Sequence, residues 1–303
     1  MSTREGTFEH PGGRTWYRIA GELPSARPPL LALHGGPGST HNYFAPLERL
    51  AGDGRAVVLY DQVGCGRSEK RRDVEWSLEL FVDEVDALRD ELGLDRVHLL
   101  GTSWGGMLAL EHALRRPGTL ASLILSSTLA SVGDWEVEAR RLRDELPADV
   151  RGVLDRHEAA GTYDDPEYER AMAVFDARHF HRGDPRPELE RMQHEKGVAA
   201  YRAMVGPNEW TMTGVLKGWD VRSRLQELDV PTLVLRGRYD LCTEPIAKTL
   251  IDGIRGARYV LFEHSSHTPV LEETERYLDV VGGFVDSVDE RPAGQAARKP
   301  PAS

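Results

Sequence analysis

Apolar positions along the chain fall into two alternating patterns. Short, nearly continuous apolar runs occupy residues 30–33, 56–60, 97–100, 120–125, 230–235 and 259–262. Runs of that length bounded by glycine or proline predict strands buried on both faces. Between them lie stretches with a helical period. Over 78–92, Phe81, Val82, Val85, Leu88 and Leu92 share one face, acidic residues hold the other, and Gly93 ends the run. Met107, Leu108, Leu110, Ala113 and Leu114 predict a second helix, stopped by Pro117-Gly118. A third is expected over about 243–254, and a last one runs through Leu278 and Phe284. Strand and helix in alternation predict an α/β fold with a parallel, doubly wound sheet. Turn signals at Pro11-Gly12-Gly13, Pro24 and Pro28-Pro29 flank residues 15–19, which read as part of an edge hairpin.

The pattern changes at about Ser131. Strand-like runs vanish, charge rises through residues 136–145, and prolines at 147, 166, 185 and 187 divide the segment into short amphipathic helices. The expected organisation is a core over 1–130, a helical cap insertion over 131–217, and a return to the core over 218–288. The Pro/Ala/Gly-rich residues 289–303 predict a disordered tail.

The bulk numbers narrow the function. The 303 residues suffice for a large core, and a composition of 40% hydrophobic and 29% charged residues is ordinary for a globular protein. A formal net charge of −11 argues against nucleic acid or an anionic membrane as partner and suits a neutral or cationic small substrate. Cys65 and Cys242 make neither a disulfide framework nor a zinc site, and the His179-x-His181 pair lacks companions at ligand spacing, so no metal or cofactor is expected. No apolar run is long enough to span a bilayer and no signal sequence is visible, which predicts a cytoplasmic protein, a monomer or small homo-oligomer.

Candidate chemistry sits where strands end. The run at 97–100 stops in Gly101-Thr102-Ser103-Trp104-Gly105-Gly106, and a helix pattern follows at once. Strand–turn–helix around G-x-S-x-G is the setting of a nucleophile elbow, which holds a serine on a strained turn. Such a serine needs a base and a carboxylate to orient it, in the chain order Ser, Asp, His. Asp240 follows the strand at 230–235, and the run Glu263-His264-Ser265-Ser266-His267 follows the strand at 259–262. His267, next to the last helix, is favoured over His264 as the base. The oxyanion expects two backbone donors, the N–H of Trp104 and one from the loop containing Gly36. Phosphate binding by these glycine-rich loops is disfavoured, since Gly64-x-Gly66 lacks the third glycine of a dinucleotide fingerprint and no Gly-Lys-Ser/Thr follows.

Three motifs together, His34-Gly35-Gly36-Pro37-Gly38, Asp61-Gln62-x-Gly64-x-Gly66-x-Ser68 and Gly101-x-Ser103-Trp104-Gly105-Gly106, resemble the proline iminopeptidase family of α/β-hydrolases. The resemblance runs from the first hairpin to the last helix. It implies an eight-stranded, mostly parallel sheet with a helical cap after the sixth strand. It also implies release of an N-terminal residue, often proline, from short peptides or amino-acid amides. The run Tyr201 to Trp210, with its Gly206-Pro207-Asn208-Glu209, is similar to the tricorn-associated aminopeptidase and amino-acid amidase branch. There a cap tyrosine and this glutamate meet the substrate's amine, which assigns amine binding to Glu209 and Tyr201. That branch has a second glutamate directly after the triad aspartate; here the residue is Leu241, and Glu244 is the candidate substitute. Two other functions stay open: an esterase or amidase without need of a free amine, and a ligand-binding homologue that turns nothing over. Epoxide hydrolase or dehalogenase chemistry would need an aspartate at position 103.

Overall fold

A computed structural model describes residues 2–71, 73–184 and 186–290. The expected tail lies outside the described residues from 291 onward.

The chain opens with β1 (Thr3–His10) and β2 (Gly13–Ala20), an antiparallel hairpin. Then come β3 (Leu30–Leu33), β4 (Val57–Asp61), α1 (Leu78–Leu92), β5 (Val97–Thr102), α2 (Trp104–Arg115) and β6 (Leu120–Ser126). After the helical segment follow β7 (Thr232–Gly237), α8 (Glu244–Gly253), β8 (Arg258–Phe262), α9 (Pro269–Glu272) and α10 (Thr274–Asp289). One eight-stranded sheet results, in the order β1-β2-β4-β3-β5-β6-β7-β8. The pairs of β2 with β1 and with β4 are antiparallel, and all others are parallel. The strands from β3 to β7 are buried along their whole length, and apolar clusters cover both faces of the sheet. Burial on both sides is why they read as continuous apolar runs rather than alternating ones.

Local chemistry sets the element ends. Ser77 caps α1 by accepting from Leu80 N–H at 3.2 Å, and Gly93 closes it in the left-handed conformation at φ 64°. The single helix expected after His267 is two: α9 ends at Glu272, and α10 starts afresh. A 3-10 helix at His41–Leu50, with Pro46 inside it, has no counterpart among the sequence expectations. Its apolar residues Tyr43, Phe44 and Leu47 pack beneath the sheet, but the proline and the short period hide it from a 3.6-residue pattern.

Between β6 and β7 the chain forms α3 (Val132–Asp144), α4 (Ala148–Ala160), α5 (Pro166–His179), α6 (Pro187–Glu195) and α7 (Val198–Met204). Three of the four prolines start these helices rather than break them: Pro166 and Pro187 sit in first turns and Pro147 caps α4, while Pro185 lies outside the described residues. The segment leaves and returns side by side. Val132 N–H donates to Trp219 O at 3.0 Å and Val221 N–H to Ala130 O at 2.9 Å. No helix among the described residues is long and apolar enough to cross a membrane.

Candidate active site

Because β3, β5, β7 and β8 run parallel, the loops that follow them emerge at one edge of the sheet. Ser103 sits between β5 and α2 with φ 56° and ψ −123°, a strained backbone for a residue with a side chain. The turn is held from below, where Ser103 N–H donates to Ser126 O at 3.1 Å, and from above, where Thr128 Oγ1 donates to Ser103 O at 2.6 Å. The flanking glycines are needed for approach. A Cβ on Gly105 would overlap the Leu33 carbonyl, and one on Gly101 would overlap that of Gly105.

Asp240 and His267 meet at the same sheet edge. His267 Nδ1 lies 2.6 Å from Asp240 Oδ1, which also accepts Cys242 N–H at 2.9 Å, and both side chains are buried. This pairing commits Nδ1 to the carboxylate and leaves Nε2 toward the cavity. Burial lowers the His267 pKa, but the charge and hydrogen bond of Asp240, with Glu209 and Glu272 further off, outweigh it and leave the pKa raised above 6.5. His264 is exposed, and its backbone N–H donates to Glu273 at 3.0 Å.

Ser103 and His267 line one cavity of about 930 Å³, together with Gly36, Leu241, Asp176, Tyr201 and Glu209. Gly36, at φ 111°, turns the loop after β3 in a conformation open only to glycine. The ring of Trp104 points into the core, edge-on to Phe81 at 5.2 Å, so what it offers the site is the backbone N–H that opens α2. Gln62 ties the two proposed oxyanion arms together. Its Oε1 accepts from Trp104 Nε1 at 2.8 Å, and its Nε2 donates to His34 O at 2.9 Å. Burial pushes His34 down to about 4 and so keeps it neutral, its Nε2 accepting Gln62 N–H at 2.9 Å. In the sequence Gln62 stands only as part of the Asp61-Gln62 motif, with no role of its own.

The helical segment closes the other side. Tyr201 OH donates to Glu209 Oε1 at 2.7 Å, and Trp135 Nε1 donates to Glu209 Oε2 at 3.2 Å. Trp135 also stands edge-on to the His267 ring at 6.0 Å, with Phe180 against it at 5.5 Å. These aromatics, absent from the sequence expectations, bury the imidazole from above. Leu241 lines the cavity, whereas Glu244 is exposed at the start of α8 and is not among the lining residues. As a substitute for a carboxylate at Leu241, Glu244 is on the wrong side. Asp176, on α5, lines the cavity along with Asp164 and Glu169, and its carboxyl feels the charge of Glu209.

Comparison with known proteins agrees with this architecture. A family model described as the alpha/beta hydrolase fold matches residues 28–274. The proline iminopeptidase of Clostridium botulinum is 41% identical over 95% of this chain and its own full length; that of Lactobacillus helveticus is 40% identical over 96% of this chain and its own full length. Among solved structures, VinJ superposes with a TM-score of 0.90 at 41% identity, covering 94% of this chain and 99% of its own. A proline iminopeptidase from Mycobacterium smegmatis superposes at 0.84 with 40% identity and the same coverage of both chains. Near-complete coverage at such identity places the helical segment, as well as the sheet, within the likeness. The chain is a member of the proline iminopeptidase family of α/β-hydrolases.

Proposed function

We propose that the protein is a serine aminopeptidase that releases an N-terminal residue, proline or another small apolar one, from short peptides or amino-acid amides. The observation that carries this reading is the Tyr201–Glu209 pair at 2.7 Å, in the same cavity as Ser103 and His267. An ammonium brought into a closed site needs a carboxylate partner, and Glu209 supplies one next to the candidate nucleophile.

In this mechanism His267 Nε2 takes the proton of Ser103 Oγ as the oxygen attacks the carbonyl carbon. Asp240 holds the ring in the correct tautomer and stabilises the imidazolium. The backbone donors at Trp104 and Gly36 receive the oxyanion, at the positive end of α2. His267 then hands its proton to the leaving amine, and water repeats the sequence on the acyl-enzyme. The helices over 131–217 act as the cap that holds the amine end. Only neutral His267 serves as the base, and its pKa is raised, so activity falls as pH drops through a value above 6.5. A broader amidase or esterase range is favoured by one feature, the apolar Leu241 in the cavity wall.

The test compares kcat/KM for prolyl p-nitroanilide with that for its N-acetyl counterpart. The expected preference for the free amine is about tenfold or more, the size of a charge-assisted hydrogen bond. Equal cleavage of the two would refute the role of Glu209 and leave the amidase or esterase reading.

A further inference from the structure

We infer that Asp176 is a second anchor for the substrate's free amine, supplying from α5 the carboxylate that Leu241 does not provide. The inference rests on the amine-recognition reading above and extends it to a residue on a different element.

Three features of the cavity support it. Asp176 lines the same space as Ser103, His267 and Glu209. It belongs to a row of residues four apart on one face of α5 and just past its end: Tyr168, Met172, Asp176 and Phe180 all line the cavity. Asp176 is the acid of an otherwise aromatic and apolar row, and its carboxylate makes no hydrogen bond to the described residues. Its side chain is open to solvent where it lines the cavity, yet protein surrounds it closely enough to desolvate the carboxyl. That desolvation, and then the neighbouring charge of Glu209, push its carboxyl up to about 7.

The charged and titratable groups facing Asp176 are Glu209 and Tyr201 around the end of α7, Lys196 between α6 and α7, and His267 after β8. Lys196 lowers the Asp176 pKa without overcoming the rise, and its ammonium is hydrogen-bonded to Gln193 Oε1 at 3.0 Å. Tyr201 stays a neutral phenol, since burial and the charge of Glu209 hold its pKa well above 10. Asp176 and Glu209 therefore repel one another across a cavity whose lining also includes Asp164, Glu169, Lys196 and Arg202. An incoming ammonium relieves that repulsion and draws Asp176 into its ionised form.

A charge count during catalysis points the same way. The bound ammonium and the imidazolium formed on His267 are both positive. Asp240 answers the imidazolium. Glu209 already accepts from Tyr201 and Trp135, and it contributes to the raised pKa of His267. An ammonium bound to Glu209 alone would cancel that contribution and weaken His267 as a base. With Asp176 also engaged, the amine is balanced within its own end of the cavity.

The experiment measures kcat/KM against pH for prolyl p-nitroanilide and for cyclopentanecarbonyl p-nitroanilide, which keeps the ring and lacks the amine. In the wild-type enzyme the acid limb for the prolyl substrate should fall with two protonations, of His267 and Asp176, and for the amine-free analogue with one. Asp176→Asn should reduce the prolyl limb to one protonation and raise KM for the prolyl substrate by about tenfold, with a much smaller change in kcat. Asp176→Glu should restore both the lower KM and the second protonation in part. A one-proton limb for both substrates in the wild type, which requires no variant, overturns the proposal. So does an unchanged prolyl KM in D176N. Wild-type enzyme that does not distinguish the two substrates would overturn the amine reading as a whole; discrimination that stays at its wild-type size in D176N would overturn only the role of Asp176.

Discussion

The loops at the strand ends and the helices above them build the two halves of the cavity by different means. At the strand ends geometry comes from the backbone. Parallel strands deliver Ser103, Asp240 and His267 to one edge, glycines allow contacts that a Cβ would block, and Gln62 bolts the loop after β3 to the start of α2. Above them, geometry comes from side chains. Trp135, Tyr201 and Glu209 hold one another through their own hydrogen bonds, from α3, α7 and the turn after it. The first half is suited to a reaction that tolerates no displacement. The second is suited to selecting a substrate, since side chains can change while the sheet stays in place.

The two halves should therefore break differently. Ser103→Ala should lower kcat/KM by about four orders of magnitude or more, and the double change with His267→Ala should lower it little further, because the residues act as a unit. Steady-state kinetics on prolyl p-nitroanilide checks this; additive losses would separate the two residues. Gln62→Leu leaves the Trp104 indole N–H and the His34 carbonyl without their partner, and should reduce kcat by about tenfold with KM little altered. A change confined to KM would move Gln62 from the reaction to binding. Tyr201→Phe keeps the ring and removes one hydrogen bond to Glu209. It should weaken the preference for the free amine by about fivefold. Glu244→Gln, exposed and away from the cavity, should leave both kcat and that preference within about twofold of wild type, the range of an ordinary surface change.

The same contrast governs what could be read from the sequence. Strand ends announce themselves: an apolar run that stops in Gly-x-Ser-x-Gly, or in Asp240, fixes which residue emerges at the sheet edge. The reading placed α1 at the bounds it has, from its apolar period and from Gly93, which marks its end chemically; the Ser77 cap emerged only in the structure. The helical segment offered no such rule. Tyr201 and Glu209 came from likeness to a family branch. Trp135 was invisible because a tryptophan in the first turn of a helix has many uses, and only the fold brings it to Glu209. Glu244 was chosen for nearness along the chain, yet the start of α8 faces outward, while Asp176 lines the cavity from α5. Asp176 did leave a signal, in the four-residue spacing of Tyr168, Met172, Asp176 and Phe180. Charge in the rest of the segment obscured it.

The division of labour itself is tested most directly with Glu209→Gln. Two quantities are compared with wild type, at a pH where His267 is neutral: the rate at which a neutral organophosphonate labels Ser103, and the ratio of kcat/KM for free and N-acetylated prolyl p-nitroanilide. The account predicts that the ratio collapses by about tenfold or more, while labelling continues at close to the wild-type rate. Labelling that falls in step with the ratio, or a ratio that does not move, would contradict it.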